Sequence, residues 1–328
     1  MSKNDQRSGP ATFSIAAHLL ALACVLAAAS CKGASTPVAL ASESSPFAIA
    51  TQAGQVYWLV PAPNGTPAAL RAVAGAGGSV RTVGTVNAPR SLALSAADAI
   101  IGSGDGNVYS LPLAGGASHV LIPKTIAGAA IAVWVADGFA YALFNAGRIA
   151  RIALSGGASD AGTGAAEVQE VATASGSNTL FAADSAYVYW GSSTGDLFRA
   201  PVDGSGSAQP LGNIAGASPA QPAFLGGKLY FFGAGYLGSI DETSGAIAQL
   251  LAGTTAWSLG GNGHALFLGL THGIGELVPP GSVTSLVIAV GVPGTSLAAD
   301  ESNVYWISDA IDLYGNPTAT STIYRGAL

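Results

Sequence analysis

From about residue 37 onward the apolar positions fall in short runs, four to six residues long, broken by Gly, Asp, Asn or Ser. Runs of that length, rich in β-branched and aromatic residues and bounded by turn formers, predict strands. The pattern repeats. Ala182-Ala183-Asp184-Ser185-Ala186-Tyr187-Val188-Tyr189-Trp190, followed by Gly195-Asp196-Leu197-Phe198-Arg199-Ala200-Pro201-Val202, returns as Ala298-Ala299-Asp300-Glu301-Ser302-Asn303-Val304-Tyr305-Trp306 and then Ile323-Tyr324-Arg325. Weaker copies of the second half begin at Gly106 and Gly147. The central hydrophobic position recurs at Tyr57, Ile100, Tyr141, Tyr189, Tyr230, Phe267 and Tyr305, at spacings of 37 to 48 residues. In the fourth copy the strands a, b, c and d are expected near residues 178–183, 187–191, 196–202 and 208–212. Four short strands per unit at this period predict an all-β, seven-bladed β-propeller.

The ends of the chain bear on closure. The seventh copy stops at strand c, with Ile323-Tyr324-Arg325-Gly326-Ala327-Leu328. Residues 37–42 precede the first strand a (about 47–51), have strand character and belong to no blade of their own. They are expected to supply strand d of the last blade, which removes an open sheet edge and locks the ring.

Composition fits this reading. The 328 residues include 45 Gly and 17 Pro, which alone would suggest disorder, yet 49% are hydrophobic and only 9% charged. Disordered chains show the opposite balance, and the glycines follow no collagen period. They serve as turn residues, and low charge follows from blades buried on both faces. Lys and Arg number 12 against 18 Asp and Glu, a net charge of −6, with the cations scattered singly. Nucleic-acid binding, which needs clustered cations, is excluded. The two cysteines, Cys24 and Cys31, leave no disulfide framework or zinc–thiolate site in the body of the chain.

Residues 1–30 have the layout of an export signal: Lys3 and Arg7, then an apolar run from Ala11 to Ala29 ending in small residues before Cys31. Leu26-Ala27-Ala28-Ala29-Ser30-Cys31 resembles a bacterial lipoprotein signal, in which the cysteine becomes the lipidated first residue of the mature chain. Cys24 competes for that role, and a plain cleaved signal or an uncleaved anchor are the alternatives. The domain plan is therefore a signal peptide (1–30), a lipidated N-terminus and tether (31–36) and the propeller (37–328). A second apolar stretch, residues 126–144, carries Asp137-Gly138 at its centre and is expected to be a hairpin in the core.

The residues from Val188-Tyr189-Trp190 through Gly195-Asp196-Leu197-Phe198-Arg199 resemble the YWTD repeat of lipoprotein-receptor propellers, and are similar to NHL-type and virginiamycin B lyase-like bacterial propellers. The resemblance implies the fold. The Thr-Asp of that receptor family is replaced by Leu59-Val60, Gly191-Ser192 and Ile307-Ser308, and the family has six blades.

Candidate chemistry is sparse. Asp184 and Asp300, five residues before the repeat tyrosine, and Asp137, four before Tyr141, are expected to cap turns; calcium would need several closely spaced oxygen ligands. Arg151, Arg199 and Arg325 share one strand-c position, expected to face solvent, where the other better-aligned units have Ser110, Ser239 and Leu277. Trp58, Trp190 and Trp306 should pack between blades, while Trp134 and Trp257, on innermost strands, could face the channel and stack on carbohydrate. His119 stands alone; His264 and His272 flank a strand with Glu276 following, too little to assign acid–base catalysis. No catalytic residue, metal or cofactor is expected. The loops joining b to c are enlarged in the seventh and first copies, which become neighbours on closure, so Asp309, Asp312, Tyr314, Asn316 and Asn64 form a candidate binding rim. The expectation is an exported, monomeric, lipid-anchored module that binds or scaffolds an unknown protein or carbohydrate at a bacterial envelope, on the outer membrane, periplasmic or surface face, and touches the membrane through its lipid. The alternative is a propeller lyase or hydrolase acting on a small exported compound or polysaccharide.

Overall fold

The structure is a computed structural model, described for residues 35–62, 67–124, 128–154, 167–214, 220–233, 235–252, 256–270, 273–278, 282–289, 294–311 and 317–328. The repeat folds as seven antiparallel four-stranded sheets. Blade 1 is β2 (Phe47–Gln52), β3 (Gln55–Val60), β4 (Ala68–Ala74) and β5 (Arg81–Val86). Blade 2 is β6 (Pro89–Leu94), β7 (Asp98–Ser103), β8 (Val108–Pro112) and β9 (His119–Ile122). Blade 3 is β10 (Ala130–Ala136), β11 (Phe139–Phe144), β12 (Arg148–Ala153) and β13 (Gln169–Thr173). Blade 4 is β14 (Asn178–Ala183), β15 (Tyr187–Ser192), β16 (Asp196–Pro201) and β17 (Gln209–Asn213), within two residues of the boundaries expected from the sequence. Blade 5 is β18 (Ala220–Leu225), β19 (Lys228–Gly233), β20 (Tyr236–Asp241) and β21 (Ile247–Ala252); blade 6 is β22 (Ala256–Gly261), β23 (Leu266–Leu270), β24 (Gly273–Val278) and β25 (Ser282–Ala289).

Blade 7 is β26 (Gly294–Ala299), β27 (Asn303–Ile311), β28 (Pro317–Ala327) and, as its outer strand, β1 (Val38–Ser44) from the other end of the chain. The register runs from Val38 opposite Arg325 to Ser44 opposite Thr320. Ser35 Oγ donates to the Ala327 carbonyl at 2.9 Å, extending the seam by one more contact. The closure expected from the sequence is therefore present.

Each repeat position sits in strand b, the second strand of its blade, and all seven side chains are buried. Strand b has a sheet neighbour on both sides and a blade packed on each face, so apolar side chains pointing either way leave water. Trp58, Trp190 and Trp306 follow the repeat residue and pack against the preceding blade. Trp58 meets Tyr305, Ile307 and Ile323 of blade 7; Trp190 meets Tyr141 and Leu143 of blade 3; Trp306 meets Phe267 and Ile274 of blade 6.

The a–b turns come in two kinds. In blades 1, 3 and 5 they are the two-residue pairs Ala53-Gly54, Asp137-Gly138 and Gly226-Gly227, every one at positive φ, the geometry of a tight hairpin turn. This confirms the hairpin at Asp137-Gly138. In blades 2, 4, 6 and 7 the turn is longer and begins with Ser95, Asp184, Asn262 or Asp300, whose side-chain oxygen accepts from amides two and three residues on. Strand a of every blade also slips register near its start, as between Phe47 and Ala50 or Asn178 and Leu180. Such bulges sharpen the local twist at the crowded inner end of each sheet.

Candidate functional site

The first strands β2, β6, β10, β14, β18, β22 and β26 touch one another in ring order and close on themselves. Each is hydrogen-bonded on one side only, so seven sheet edges line a central channel. Cavities open into it on two sides. One, of about 390 Å³, lies against β6, β10 and β14; the other, of about 360 Å³, lies against β2, β18, β22 and β26. Trp134 and Pro222 border both. Trp134 therefore faces the channel, as its place on an innermost strand suggested. It reaches across blade 4 to Phe224 of blade 5, with ring centroids 5.9 Å apart and planes at 71°, and Phe224 in turn meets Tyr189 edge-on at 6.1 Å. Among the described residues, no ionisable side chain lines either cavity, and the hydroxyl side chains there are Ser91, Thr179 and Thr51.

The inner edges are not equivalent. Between blades 5, 6, 7 and 1, side chains stitch edge to edge: Leu259 N–H donates to Gln221 Oε1 at 2.8 Å, Asn262 Nδ2 to the Asp300 carbonyl at 2.9 Å, Ile49 N–H to Ser296 Oγ at 3.4 Å, and Thr51 Oγ1 to the Ala299 carbonyl at 3.2 Å. Gln221 adopts φ 52° at the register slip of β18, which turns its amide toward β22. Among the described residues, no such bond joins β6 to β10 or β10 to β14.

The repeated Asp and Arg have a role at the opposite end of the strands. Asp184 and Asp300 cap their turns, as expected, but their second oxygen accepts from the repeat tyrosine two strand positions on: Tyr189 Oη to Asp184 Oδ2 and Tyr305 Oη to Asp300 Oδ2, both 2.8 Å. Burial first, then the adjacent carboxylate, pushes both phenols above their ordinary range. In blade 3 the turn is one residue shorter, and the Tyr141 hydroxyl is bonded by Arg151 instead.

The arginines correct the solvent-facing expectation. Arg199 is only 8% exposed. It lies 4.1 Å above the Tyr187 ring, and its Nη1 donates across the blade boundary to the Glu242 carbonyl at 3.0 Å. Arg325 Nη1 donates to the Gly75 carbonyl of blade 1 at 2.9 Å. Arg151 covers Phe139 at 4.6 Å and bonds Gln169, which itself donates to the Asp203 carbonyl of blade 4. The position is a latch between blades. In blade 6 the residue opposite Phe267 is Glu276, so the equivalence with Leu277 was one residue out.

His119 is exposed in β9, and His264 lies in the a–b turn of blade 6, where its amide caps onto Asn262. Among the described residues no three His, Cys, Asp or Glu side chains gather as a metal site. Asn64, Asp312, Tyr314 and Asn316 lie outside the described residues, as do Cys24, Cys31, His272 and the side chain of Trp257; Asp309 falls in β27, its side chain likewise undescribed. The enlargement of the blade 7 loop does take form: β27 and β28 pair out to Ile311 opposite Pro317, beyond Ser308, where β26 ends its pairing.

These features define a seven-bladed β-propeller whose ring is sealed by its N-terminal strand. Among solved structures, the chain is similar to the WD40 β-propeller domain of Doa1 (10% identity, TM-score 0.60, 88% of this chain and 97% of that one). It is also similar to a chain of the mitotic checkpoint complex (11%, 0.65, 88% and 94%) and to BamB from Moraxella catarrhalis (15%, 0.51, 88% and 97%). At these identities the likeness is one of fold. No protein-family model matches the chain, and no curated protein matches it.

Proposed function

We propose that this chain is an exported, lipid-anchored propeller that works as a binding or scaffolding module at a bacterial envelope, processed at Cys31. The observation that carries this reading is where the tether leaves the ring. Ser35 lies beside Ala327, and Leu328 N–H donates to the Ser302 carbonyl, so the chain enters at the face that carries the a–b and c–d turns. Only three residues separate Cys31 from Ser35, a span of four residue steps that reaches at most about 14 Å when fully extended. A lipid on Cys31 would therefore hold that face at the bilayer and turn the other face, with the long blade 7 hairpin and its neighbouring b–c loop in blade 1, toward partners. Asp309, Asp312, Tyr314, Asn316 and Asn64, which fall in the sequence of these two b–c connections, are the proposed binding residues.

The membrane-side turns carry Asp98, Asp137, Asp184, Asp203, Asp241, Glu242, Asp300 and Glu301 against Arg81 and Lys228. An anionic leaflet repels such a face, so attachment rests on the acyl chains. Several chains give stable anchoring where one is marginal. The test is metabolic palmitate labelling of wild type, Cys31→Ala and Cys24→Ala. Label lost in Cys31→Ala alone, with wild type released from membranes by detergent and not by 1 M salt, supports the reading; full labelling of Cys31→Ala overturns it.

A further inference from the structure

We infer that the channel cavity beside Trp134 is a binding site for an uncharged, ring-bearing small molecule. The inference names a ligand class for the binding-module reading; it depends on the ring and not on the anchor.

Four observations converge on this one place. The cavity against β6, β10 and β14, at about 390 Å³, is in the lower part of the range of small-molecule pockets and far too small for a folded partner. Among the described residues its walls hold no charge that could offset the desolvation of an ionic ligand, which is the larger energy in such a site. Its apolar side chains pack against the core on one side only: Leu92, Leu94, Trp134 and Val135 touch it yet stay half-buried, while the repeat residues one strand further out are buried. Trp134 also borders the second cavity, so its ring presents apolar surface on the channel side as well as packing on Phe224.

The fourth observation supplies the polar part of the recognition. The inner edges of blades 5, 6, 7 and 1 have main-chain groups already bridged by Gln221, Asn262, Ser296 and Thr51. The edges of β6 and β10 have no such bridge among the described residues. An unpaired strand edge points main-chain N–H and C=O groups outward at alternate residues. On this side they point at the cavity. A ligand with a flat apolar body and one or two neutral donors or acceptors satisfies both the Trp134 surface and these edges. A neutral sugar would need far more hydrogen-bond partners than two hydroxyl side chains and two edges provide, so the expected body is apolar.

The test uses N-phenyl-1-naphthylamine, an uncharged two-ring fluorophore, against its sulfonated relative 1-anilinonaphthalene-8-sulfonate and against maltotriose. The full chain should bind the uncharged probe saturably at one site per ring, and at least tenfold more weakly the sulfonated one. Trp134→Ala should weaken binding at least tenfold. Because that variant removes a packed ring, Thr179→Trp serves beside it: Thr179 is exposed on the cavity wall, so a large side chain there fills the space without entering the core. It should abolish binding while leaving the melting temperature unchanged. No saturable binding by folded wild type, equal binding by Thr179→Trp, or preference for maltotriose or the sulfonate overturns the proposal. Full palmitate labelling of Cys31→Ala, or none of wild type, with probe binding intact would refute the anchor alone; labelling lost only in Cys31→Ala, with no probe binding by wild type, would refute the site alone.

Discussion

The Tyr305 hydroxyl donates to Asp300 at 2.8 Å, and the same oxygen lies 2.3 Å from where a β-carbon on Gly75 of the next blade would stand. One phenol thus fixes its own a–b turn and sets how closely blade 1 approaches blade 7. Gly75 has no need of a left-handed backbone, so glycine is required there by space: by the phenol first, and next by the Gly54 carbonyl at 3.1 Å. Gly75→Ala should destabilise the fold by about 1–3 kcal/mol through overpacking. Tyr305→Phe removes the obstructing oxygen, so adding it to Gly75→Ala should recover part of that loss. Urea unfolding of the two single variants and the double measures the coupling; strict additivity would show that the two residues do not meet.

The Arg199 latch is a different kind of contact. Its guanidinium is buried, stacked on Tyr187 and committed to the Glu242 carbonyl of the next blade. Arg199→Met keeps most of the apolar stem and strands that carbonyl. A hydrogen bond from a charged donor contributes about 1.5–3 kcal/mol, and a desolvated cation–π contact adds up to about 2 kcal/mol. A loss of about 2–4 kcal/mol in urea unfolding is expected. A change under 0.5 kcal/mol would return this arginine to the solvent-facing role that the sequence suggested.

Glu242 gives the latch a pH dependence of known sign. Burial, then Asp184 and Asp241, raise its carboxyl above the ordinary value of 4.5. A carboxyl raised in the folded state favours folding while protonated and loses that contribution as pH climbs through its folded value. Arg199 faces its carbonyl, and the two nearby carboxylates oppose its charge. Glu242→Gln should therefore melt higher than wild type at pH 7, with the difference vanishing below about pH 4.5. Equal melting curves at pH 7 would contradict the burial argument. Asp241, only a residue away, moves the other way: the Ser244 amide and hydroxyl hold it below 3.8. Its contribution is present at neutral pH and fades only in stronger acid.

Ser91 Oγ is buried without a hydrogen-bond partner, as are the indole N–H groups of Trp58 and Trp306. A buried polar atom left unpaired costs about 1–3 kcal/mol. Replacing Ser91 by Ala deletes the orphan with almost no change of volume, and should stabilise the ring by up to about 1 kcal/mol. Destabilisation of that size instead would mean the hydroxyl has a partner in solution.

What the sequence disclosed divides along a physical line. Whatever depends on one blade's own pattern was legible: the seven repeat residues, the Asp137-Gly138 turn and the strand d character of residues 37–42 all lie in segments whose periodicity is local. Whatever depends on the next blade was not. Arg199 alternates like a surface residue along β16, and only the turn at Glu242, over forty residues away in sequence, buries it. The Asp184–Tyr189 bond had a signal in the five-residue spacing repeated at Asp300 and Tyr305, but nothing in the spacing says that the phenol bends back. The stitching of β18 to β22 by Gln221 rests on a positive φ at a register slip, which no composition rule marks. The innermost strand of Trp134 pointed to the channel; the uncharged walls around it became visible only once the strands were placed in a ring.

The seal offers the most decisive test of the architecture. Residues 38–44 pair with residues 320–325 and bring no blade of their own. Deleting residues 35–44 leaves β28 with a bare edge and takes away Glu43, the carboxylate partner of Arg71 in blade 1 at 3.1 Å. That ion pair is partly exposed and contributes little, so most of the effect should come from the lost strand. An unpaired edge recruits other chains, and the truncated protein is expected to elute as oligomers by size-exclusion chromatography with a melting transition lowered by about five degrees or more (~3 kcal/mol for a chain of this size). A synthetic peptide of residues 35–45 supplied in excess should restore the elution volume of the intact chain, because strand d is held by backbone pairing that needs no covalent link. A peptide with both Ala41 and Ser42 replaced by Pro lacks a pairing amide, because successive amides of a strand alternate toward the partner, and should fail. Truncated protein that stays monomeric with an unchanged melting curve would mean that the ring is held by the b-strand cores and the arginine latches alone.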